Sequence, residues 1–386
     1  MAMRSLLVVL VLLVNPLSAV SEEIQDIEGV QHGINLYYDG NLFRASDPAE
    51  QEQLASQWQA EQLVIDGLLD RLSGLGVNAL SLAVPIFTDA WASNRFYTDP
   101  VKTPDAAQIR FIAEQAKARD MTFTLKPLLD SSIFVAVGNP DQWRGTLQPV
   151  DPTVWFASYQ TVLSELSQPV ADLMDWLVIG TELTSLESPQ YEPSWSSLIG
   201  SLRTALPDTN LVYGQNWWGL GPTDAPPLTP SWISLLDAVG VSGYFPPSDQ
   251  TAMEMPNDPV TGDPVPNILL TDEATVDQVR AGLERYRNTI IDHVRHYGLP
   301  LLVLEAGIAS QSNAYAFSWT TTDAPVNLSI QLTYLAAACP FYGTLTNGVW
   351  LWFTNIHLLN DPAQDTGFEL IGKPAEQSIP LCFSSF

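Results

Sequence analysis

Short apolar runs alternate with longer stretches of helical periodicity along the chain from Gly33 onward. Runs of four to six apolar or β-branched residues predict buried strands, and apolar residues spaced by three and four predict helices. The predicted strands are Gly33–Tyr37, Ala79–Val84, Thr122–Leu125, Trp176–Gly180, Asn210–Tyr213, Ala238–Ser242, Leu301–Glu305 and Val349–Phe353. The predicted helices are Pro48–Leu72, Pro104–Arg119, Pro152–Leu166, Pro193–Ala205, Pro230–Leu236, Val276–His296 and Asn327–Ala338. This alternation predicts βα units around a parallel sheet.

The connections differ in length at the two ends of the predicted sheet. Helix-to-strand connections such as Ser73–Gly76 and Tyr297–Pro300 are tight, whereas strand-to-helix connections are long. The longest runs from Tyr244 to about Asp272 and contains six prolines. It is either a disordered insertion or an ordered wall of a cleft, and the proline density favours the wall. Eight βα units without a linker or internal repeat predict an α/β protein with a single (β/α)₈ TIM barrel, whose function lies at the strand carboxyl ends.

The N-terminal segment has the order of a secretory signal. Arg4 precedes the apolar run Leu6–Val14, and small residues follow at Ser18 and Ala19. A membrane anchor needs about 20 apolar residues, more than this run supplies. We therefore expect residues 1–20 to be a signal peptide, residues 21–386 to form the barrel domain, and the mature protein to be secreted, extracellular or periplasmic.

Composition narrows the choice of partners. The chain has 43 acidic and 16 basic residues, so its formal charge of −27 repels phosphate backbones and anionic lipid headgroups. Nucleic acid and membrane surfaces are therefore excluded as expected partners. The hydrophobic share of 46% is sufficient for a large core, so disorder is excluded for most of the chain. A monomer is expected, although no sequence feature fixes the oligomeric state.

Cysteine and histidine positions give no sign of a metal centre. Cys339 and Cys382 are the two cysteines of the sequence, and export places them where disulfides persist, so a bridge is favoured over two buried thiols. Neither has the spacing of a zinc ligand. His293 and His296 lie one turn apart on a predicted helix and are interpreted as a surface pair. Without a Gly-rich phosphate loop or a nucleophilic serine motif, we expect no cofactor.

Two glutamates lie where apolar strands end. Glu182 follows the fourth predicted strand and Glu305 closes the seventh. These strands are nearly opposite in an eight-stranded ring, so both carboxylates can converge on one ligand at the catalytic face. Paired carboxylates across a cleft are typical of glycoside hydrolysis, in which one protonates the leaving oxygen and the other attacks or activates water. A single glutamate at a strand end often serves only as a hydrogen-bond acceptor, but two on opposing strands favour catalysis.

Aromatic and polar residues near the strand ends are candidate sugar ligands, because sugar rings stack on Trp and Tyr. Trp350 and Trp352 share one strand face, so one of them could be core while the other reaches the mouth. For each aromatic, simple core packing is the alternative. Three polar candidates come from the segment after the third predicted strand, where a solvated loop is the alternative. The candidate substrate-binding residues are Asn216, Trp217, Tyr244, Trp350, Trp352, Lys126, Asp130 and Arg144.

Several local strings resemble those of glycoside hydrolase family 113, which contains (β/α)₈ retaining enzymes similar to β-mannanases. The strings include Gly180-Thr181-Glu182-Leu183, Leu125-Lys126-Pro127, Trp143-Arg144-Gly145, Gln215-Asn216-Trp217, Gly243-Tyr244-Phe245 and Leu304-Glu305-Ala306-Gly307. The resemblance implies that Glu182 is the general acid/base and Glu305 the nucleophile. It also implies that Asn216, Tyr244 and a tryptophan of the eighth strand contact the sugar.

The expected function is hydrolysis of β-1,4-linked mannan or a related β-glycan by double displacement, with a β-linked oligo- or polysaccharide as the partner. One alternative is a catalytically idle barrel that only binds glycan. The other is a retaining β-glycosidase that acts on a different sugar. Both carboxylates are present, which favours an enzyme over an idle barrel.

Overall fold

The structure is a computed structural model that describes residues 29–38, 48–100, 102–129, 143–220, 228–249, 268–356, 359 and 361–386. The predicted signal peptide, the candidate ligand Asp130 and most of the proline-rich segment after Tyr244 lie outside the described residues.

Eight parallel strands form a closed barrel. In chain order, the eight strands of the ring and one additional short strand, β3, are β1 Gln31–Tyr37, β2 Ala79–Thr88, β3 Phe96–Tyr97, β4 Thr122–Leu129, β5 Trp176–Thr181, β6 Asn210–Asn216, β7 Ala238–Ser242, β8 Leu301–Ala306 and β9 Gly348–Asn355. The ring closes because β1 pairs in parallel with both β2 and β9. The short β3, which was not predicted, lies outside the ring and is antiparallel to β2. The predicted (β/α)₈ TIM barrel is confirmed, with β5 and β8 as its fourth and seventh strands.

Helices surround the barrel. They are α1 Pro48–Gly74, α2 Ala106–Lys117, α3 Pro152–Ser167, α4 Glu192–Ala205, α5 Val276–Glu284, α6 Arg287–Tyr297, α7 Ser329–Gly343 and α8 Ile379–Phe383. The start of α3 shows why proline stands there. Asp151 accepts hydrogen bonds from the N–H groups of Thr153 (2.9 Å) and Val154 (3.2 Å), and Pro152 occupies the first turn, where an N–H has no helical partner.

Two helix predictions were wrong in detail. The segment predicted as the helix Pro230–Leu236 forms a short 3₁₀ turn, Ser231–Leu235, because the next strand already begins at Ala238. The single helix predicted over 276–296 is divided between α5 and α6. At the division, the guanidinium of Arg285 donates to the Gly282 carbonyl (3.0 Å) and the Pro246 carbonyl (3.2 Å), which ties the break to the segment after β7.

Alternation along the strands separates two apolar regions. The larger lies between the sheet and the helices, and a smaller cluster fills the barrel interior. Trp350 of β9 is 1% exposed in that interior cluster. A Cβ at Gly33 of β1 would lie 2.3 Å from the Trp350 ring, so only glycine leaves room for this indole. The filled interior leaves the strand carboxyl ends as the place for a cleft.

The C-terminal segment is tied to the outer ring. Cys339 of α7 and Cys382 of α8 form a disulfide, with Cα atoms 5.0 Å apart. Within the described residues, no helix has both the length and the apolar content to cross a bilayer.

Candidate active site

An open cleft of about 820 Å³ lies at the carboxyl ends of the strands. Such a volume is typical of a small-molecule or oligomer binding site. The cleft contains both predicted catalytic glutamates. Its lining comprises Trp143, Arg144, Glu182, Asn216, Trp217, Trp218, Tyr244, Glu305, Trp319, Thr320, Thr321, Trp352 and Phe368.

Glu305 lies within β8 and is 2% exposed. The ammonium group of Lys126 donates a hydrogen bond to its carboxylate and forms an ion pair with it. Burial lowers the pKa of Lys126, while the charge of Glu305 and their hydrogen bond raise it again. The ammonium also lies 5.3 Å from the centre of the Trp352 ring. The arrangement places a cation against the carboxylate where water has little access.

The predicted loop position of Lys126 was wrong. The residue lies inside β4, where it pairs in register with Ala83 of β2, because this strand continues four residues beyond its predicted end at Leu125. Its side chain is fully buried and is not part of the cleft lining. The structure therefore brings Lys126 to Glu305 rather than to the substrate side of the cleft.

Glu182 follows β5 with a left-handed backbone, φ 55°. This conformation costs about 1–2 kcal/mol for a residue with a Cβ, so its surroundings must hold it. Its N–H donates to the Gly214 carbonyl of β6 at 2.7 Å. The guanidinium of Arg144, on the turn after β4, lies 3.5 Å from the carboxylate. The side chain is bent out of the strand and into the cleft.

Burial is the largest influence on the charge of Glu182. It raises the pKa of this carboxyl to about 7, and the negative charge of Glu305 acts in the same direction. Arg144, Ser242 and Lys126 act against the increase. A carboxyl with a pKa near 7 holds a proton for a substantial part of the time at neutral pH, as a general acid requires.

Tyr244 lines the cleft with both glutamates, is hydrogen-bonded to Glu305 and is 5% exposed. Burial raises the pKa of its phenol well above the usual range, and the charges of Glu305 and Glu182 add to this effect. Its ring packs edge-on against Trp352 (6.1 Å between centres) and Phe368 (5.8 Å). The hydroxyl therefore stays protonated and is available as a donor beside the carboxylates.

Tryptophans form one wall of the cleft. The rings of Trp217 and Trp319 lie 5.5 Å apart, and Trp217 is supported from behind by Phe245 at 6.2 Å. Trp218 and Trp319 are each 38% exposed. Flat apolar surfaces beside hydroxyl-binding groups suit the faces of sugar rings.

The structure brings most of the candidate sugar ligands to the cleft. Arg144, Asn216, Trp217, Tyr244 and Trp352 line it. Trp350, on the same strand face as Trp352, is the core member of that pair, because its indole occupies the barrel interior against Gly33. Asp130 lies outside the described residues.

Four of the lining residues that were not candidates from the sequence come from irregular segments. Trp319, Thr320 and Thr321 come from the segment after β8, and Phe368 from the segment after β9. These segments have no periodicity, so no pattern indicates which of their side chains face the cleft. A lone tryptophan in a polar loop, as at Trp319, is the one usable signal.

The titratable groups do not cluster as metal ligands. Among the described residues, no group of three or more His, Cys, Asp or Glu side chains is arranged to hold a metal ion. Among the described residues that line the cleft, the ionisable groups are two carboxyl groups, one guanidinium and one phenol.

Comparison with known proteins gives a consistent result. The sequence model of Glycoside Hydrolase Family 113 matches residues 52–373. A structure of a GH113 β-1,4-mannanase superposes with a TM-score of 0.69 and 17% identity, over 93% of this chain and 100% of that one. The GH113 β-mannanase of Alicyclobacillus acidocaldarius in complex with ManMIm gives 0.67 and 18%, over 92% and 98%. No curated protein sequence matches the chain.

Proposed function

The chain belongs to glycoside hydrolase family 113, and we propose that it hydrolyses β-1,4-linked mannan or a closely related β-glycan with retention of anomeric configuration. The observation that carries the proposal is the placement of two buried carboxyl groups, Glu182 and Glu305, in one aromatic-lined cleft at opposing strands of the barrel. Family 113 structures similar to this chain are described as β-1,4-mannanases, which supports mannan as the first substrate to test.

In the proposed first step, Glu305 is the nucleophile. A carboxylate oxygen attacks the anomeric carbon, a C–O bond to the enzyme forms, and the bond to the leaving oxygen breaks. The ion pair with Lys126 supports this role, because the buried ammonium favours the charged carboxylate. The same contact fixes the orientation of the side chain before substrate arrives.

In the same step, Glu182 is the general acid. Its proton passes to the leaving oxygen, so the departing sugar leaves as an alcohol. The resulting carboxylate then removes a proton from water, which attacks the anomeric carbon and releases Glu305. The pKa of about 7 supports both halves of the cycle, since the group can hold and release a proton near neutral pH.

The walls of the cleft are proposed to bind successive sugars of a chain. Two groups of aromatic residues line the cleft. Trp352 and Phe368 pack against Tyr244, and Trp217 packs against Trp319, with Trp218 beside Trp217 in the chain. Several aromatic faces in one open cleft suit a linear polymer of which more than one sugar is bound.

The test is turnover of a panel of β-linked polysaccharides, namely mannan, glucomannan, galactomannan, cellulose and xylan, with Glu305→Ala as the matched inactive protein. We expect release of β-1,4-manno-oligosaccharides from mannan, with the β-anomer appearing first by NMR. First appearance of the α-anomer contradicts the double displacement. Absence of turnover on every β-glycan of the panel, with retained glycan binding, favours the idle barrel instead.

We also propose that the protein is secreted, since polymeric mannan does not enter cells and the N-terminal sequence has the order of a signal peptide. N-terminal sequencing of the protein recovered outside the cytoplasm of its host is expected to begin near residue 21. Recovery only in the cytoplasm, with Met1 retained, contradicts this.

A further inference from the structure

Another buried glutamate, Glu187, follows Glu182 in the chain and is not part of the cleft lining. Glu187 ends the 3₁₀ turn Thr184–Glu187 and is 2% exposed. Burial raises its pKa to about 7, and the charge of Glu182 adds to the increase. It is not part of the cleft lining, so it does not touch the proposed substrate. Burying a carboxyl group is costly unless it is hydrogen-bonded, and its partners indicate what it does there.

The partners of Glu187 lead to the backbone of Glu182. One carboxylate oxygen accepts from the Tyr213 hydroxyl at 2.8 Å. The same phenol oxygen accepts from the N–H of Leu183 at 2.8 Å. The N–H of Glu182 itself donates to the Gly214 carbonyl at 2.7 Å. Two neighbouring residues of β6 therefore hold the two peptide N–H groups on either side of the strained Glu182 Cα.

Gln215, at the second carboxylate oxygen of Glu187, and His293, which contacts Gln215, determine which group donates in each hydrogen bond of this network. The second oxygen of Glu187 accepts from the Gln215 amide nitrogen at 3.1 Å, and the Gln215 amide oxygen lies 2.7 Å from Nε2 of His293 on α6. The prediction of His293 as a surface residue was wrong, because it is 3% exposed, and burial lowers its pKa to about 4. Since the amide oxygen of Gln215 can only accept, the neutral ring donates through Nε2. Every donor in this network then points toward Glu187, which leaves the Tyr213 hydroxyl oriented to accept from Leu183.

The ring of Tyr213 is fixed before it makes these bonds. It packs edge-on against Trp195 (5.3 Å between centres) and Trp232 (5.0 Å). A Cβ at Gly180, two residues before Glu182, would lie 2.8 Å from this ring, so glycine allows the close approach. The phenol is thus a rigid support for the chain at Glu182.

We propose that Glu187, acting through the Tyr213 hydroxyl, is a positioning residue that holds the left-handed backbone of Glu182 in the conformation from which its carboxyl delivers a proton to the leaving oxygen. The inference rests on the proposed role of Glu182 as general acid. Loosening the Leu183 N–H contact lets the chain relax toward a right-handed or extended conformation, which turns the Glu182 side chain away from the cleft. A displacement of about 1 Å is enough to reduce a rate by about 100-fold.

The test separates proton delivery from general damage by comparing two substrates. β-1,4-Mannopentaose has a poor leaving group and needs the acid, whereas 2,4-dinitrophenyl β-mannobioside has a leaving group that departs without a proton. For Tyr213→Phe we expect kcat on mannopentaose to fall by about 10- to 100-fold. Its glycosylation rate on the dinitrophenyl substrate is expected to stay within about 3-fold of wild type.

A matched control loses a similar buried phenol hydrogen bond at the neighbouring strand β5. The Tyr159 hydroxyl donates to the Ile179 carbonyl of β5 at 2.9 Å, rather than bonding the chain at Glu182, Leu183 or Glu187. Tyr159→Phe is therefore expected to leave the ratio of the two rates unchanged. Glu187→Gln keeps an acceptor for Tyr213 and is expected to retain more activity on mannopentaose than Glu187→Leu. Parallel loss on both substrates in Tyr213→Phe, or the same ratio in Tyr159→Phe, overturns the proposal.

The Glu182→Ala variant, alone and combined with Tyr213→Phe, tests the proposed role of Glu182 as general acid separately. If Glu182 is the acid, this variant shows the split between substrates by itself, and adding Tyr213→Phe lowers the rate on the dinitrophenyl substrate no further. If Glu182→Ala shows no split, the assignment of the acid fails, whatever Tyr213→Phe does. If Glu182→Ala shows the split and Tyr213→Phe does not, only the positioning role fails.

Discussion

The ends of β5 and β8 each place one glutamate in the same cleft, but the surroundings of the two glutamates differ. Glu305 lies within β8, and a fully buried lysine is bonded directly to its carboxylate. Glu182 lies just beyond its strand in a left-handed conformation, and Arg144 stands 3.5 Å away with 15% of its side chain exposed. The first environment stabilises a charge, and the second tolerates a proton.

The difference teaches how one side-chain type performs two tasks. Burial acts on both carboxyl groups, because neither is more than 8% exposed. What separates them is how tightly a cation is held against each one and how rigidly the backbone is fixed. Pairs of titratable groups whose surroundings differ in this way divide acid and nucleophile roles in many enzymes.

The largest expected effect comes from removing each carboxyl in turn. We expect Glu305→Ala to abolish turnover of mannan and of activated aryl mannosides alike, since no covalent intermediate forms without the nucleophile. Glu182→Ala is expected to lose about 10²- to 10⁴-fold on mannan, yet to keep the first step on a dinitrophenyl glycoside. Steady-state and burst kinetics on both substrates measure this contrast.

Azide provides the control for the roles. A nucleophile that needs no base should restore turnover of the dinitrophenyl substrate by Glu182→Ala and give a β-glycosyl azide. The same β-product from Glu305→Ala, or full activity of either variant on mannan, contradicts the division between the two strand ends.

Sequence alone was sufficient for the barrel and for the two glutamates. Eight apolar runs mark the strands, and a charge at the end of an apolar strand is visible without a structure. It was not sufficient for Lys126 or Trp350. Lys126 looks like a loop residue because a buried lysine breaks the apolar run, and only the ladder with β2 shows that the strand continues. Trp350 and Trp352 have the same alternation, and only depth in the barrel separates them.

The cleft walls lay beyond sequence reasoning for a different reason. Trp319 and Phe368 come from irregular segments whose path depends on distant contacts, such as the tilted packing of Trp319 against Trp217. The Tyr213–Glu187 support was also missed, because it is assembled from a strand and a turn 26 residues apart. Such pairings leave no local pattern.

The next largest effect comes from removing the cation at β8. Lys126→Met leaves the Glu305 carboxylate buried without its partner, and we expect kcat on both mannan and dinitrophenyl substrates to fall by about 100-fold or more. Stability should also fall, by about 3–5 kcal/mol if the charge remains. Denaturant unfolding and kinetics on the same preparations measure the two losses.

Lys373 is the matched control, since its side chain is also fully buried and pairs with Asp365 outside the cleft lining. Lys373→Met should lower stability while preserving kcat per folded molecule. A Lys126→Met enzyme with normal kcat on both substrates contradicts the view that the ammonium supports the nucleophile.

Neutral substitutions at the two strand ends should change stability in opposite directions. The pKa of Glu182 is raised to about 7 in the folded protein, above its unfolded value near 4.5. The favourable contribution of the protonated Glu182 carboxyl to folding stability is fully present below its unfolded pKa. It is lost as pH rises through its folded pKa of about 7. Glu182→Gln does not titrate, so it should gain stability over wild type by up to roughly 3 kcal/mol on going from pH 4 to pH 9.

At β8 the sign reverses. Glu305→Gln leaves the Lys126 ammonium buried without a carboxylate, so we expect it to be less stable than wild type at neutral pH by about 3–5 kcal/mol. Guanidinium unfolding of both variants at several pH values measures the two signs. Stabilisation by both substitutions, or destabilisation by both across the whole pH range, removes the distinction between the two environments.

The smallest expected effect concerns Arg144, which sharpens the comparison at β5. As a general acid Glu182 must be protonated, so kcat/KM should decline as pH rises through about 7. The guanidinium lowers the pKa of Glu182, and its removal in Arg144→Gln should move this decline to higher pH. Arg144→Lys keeps the charge and should leave the decline near its original place, even if both variants bind substrate less well. Weaker substrate binding lowers kcat/KM at every pH without moving the midpoint of its decline at high pH. The pH of that midpoint therefore reports the electrostatic effect of Arg144 on Glu182. An unmoved limb in Arg144→Gln would mean that burial and Glu305 alone set the proton affinity of the acid, and that Arg144 serves the substrate only.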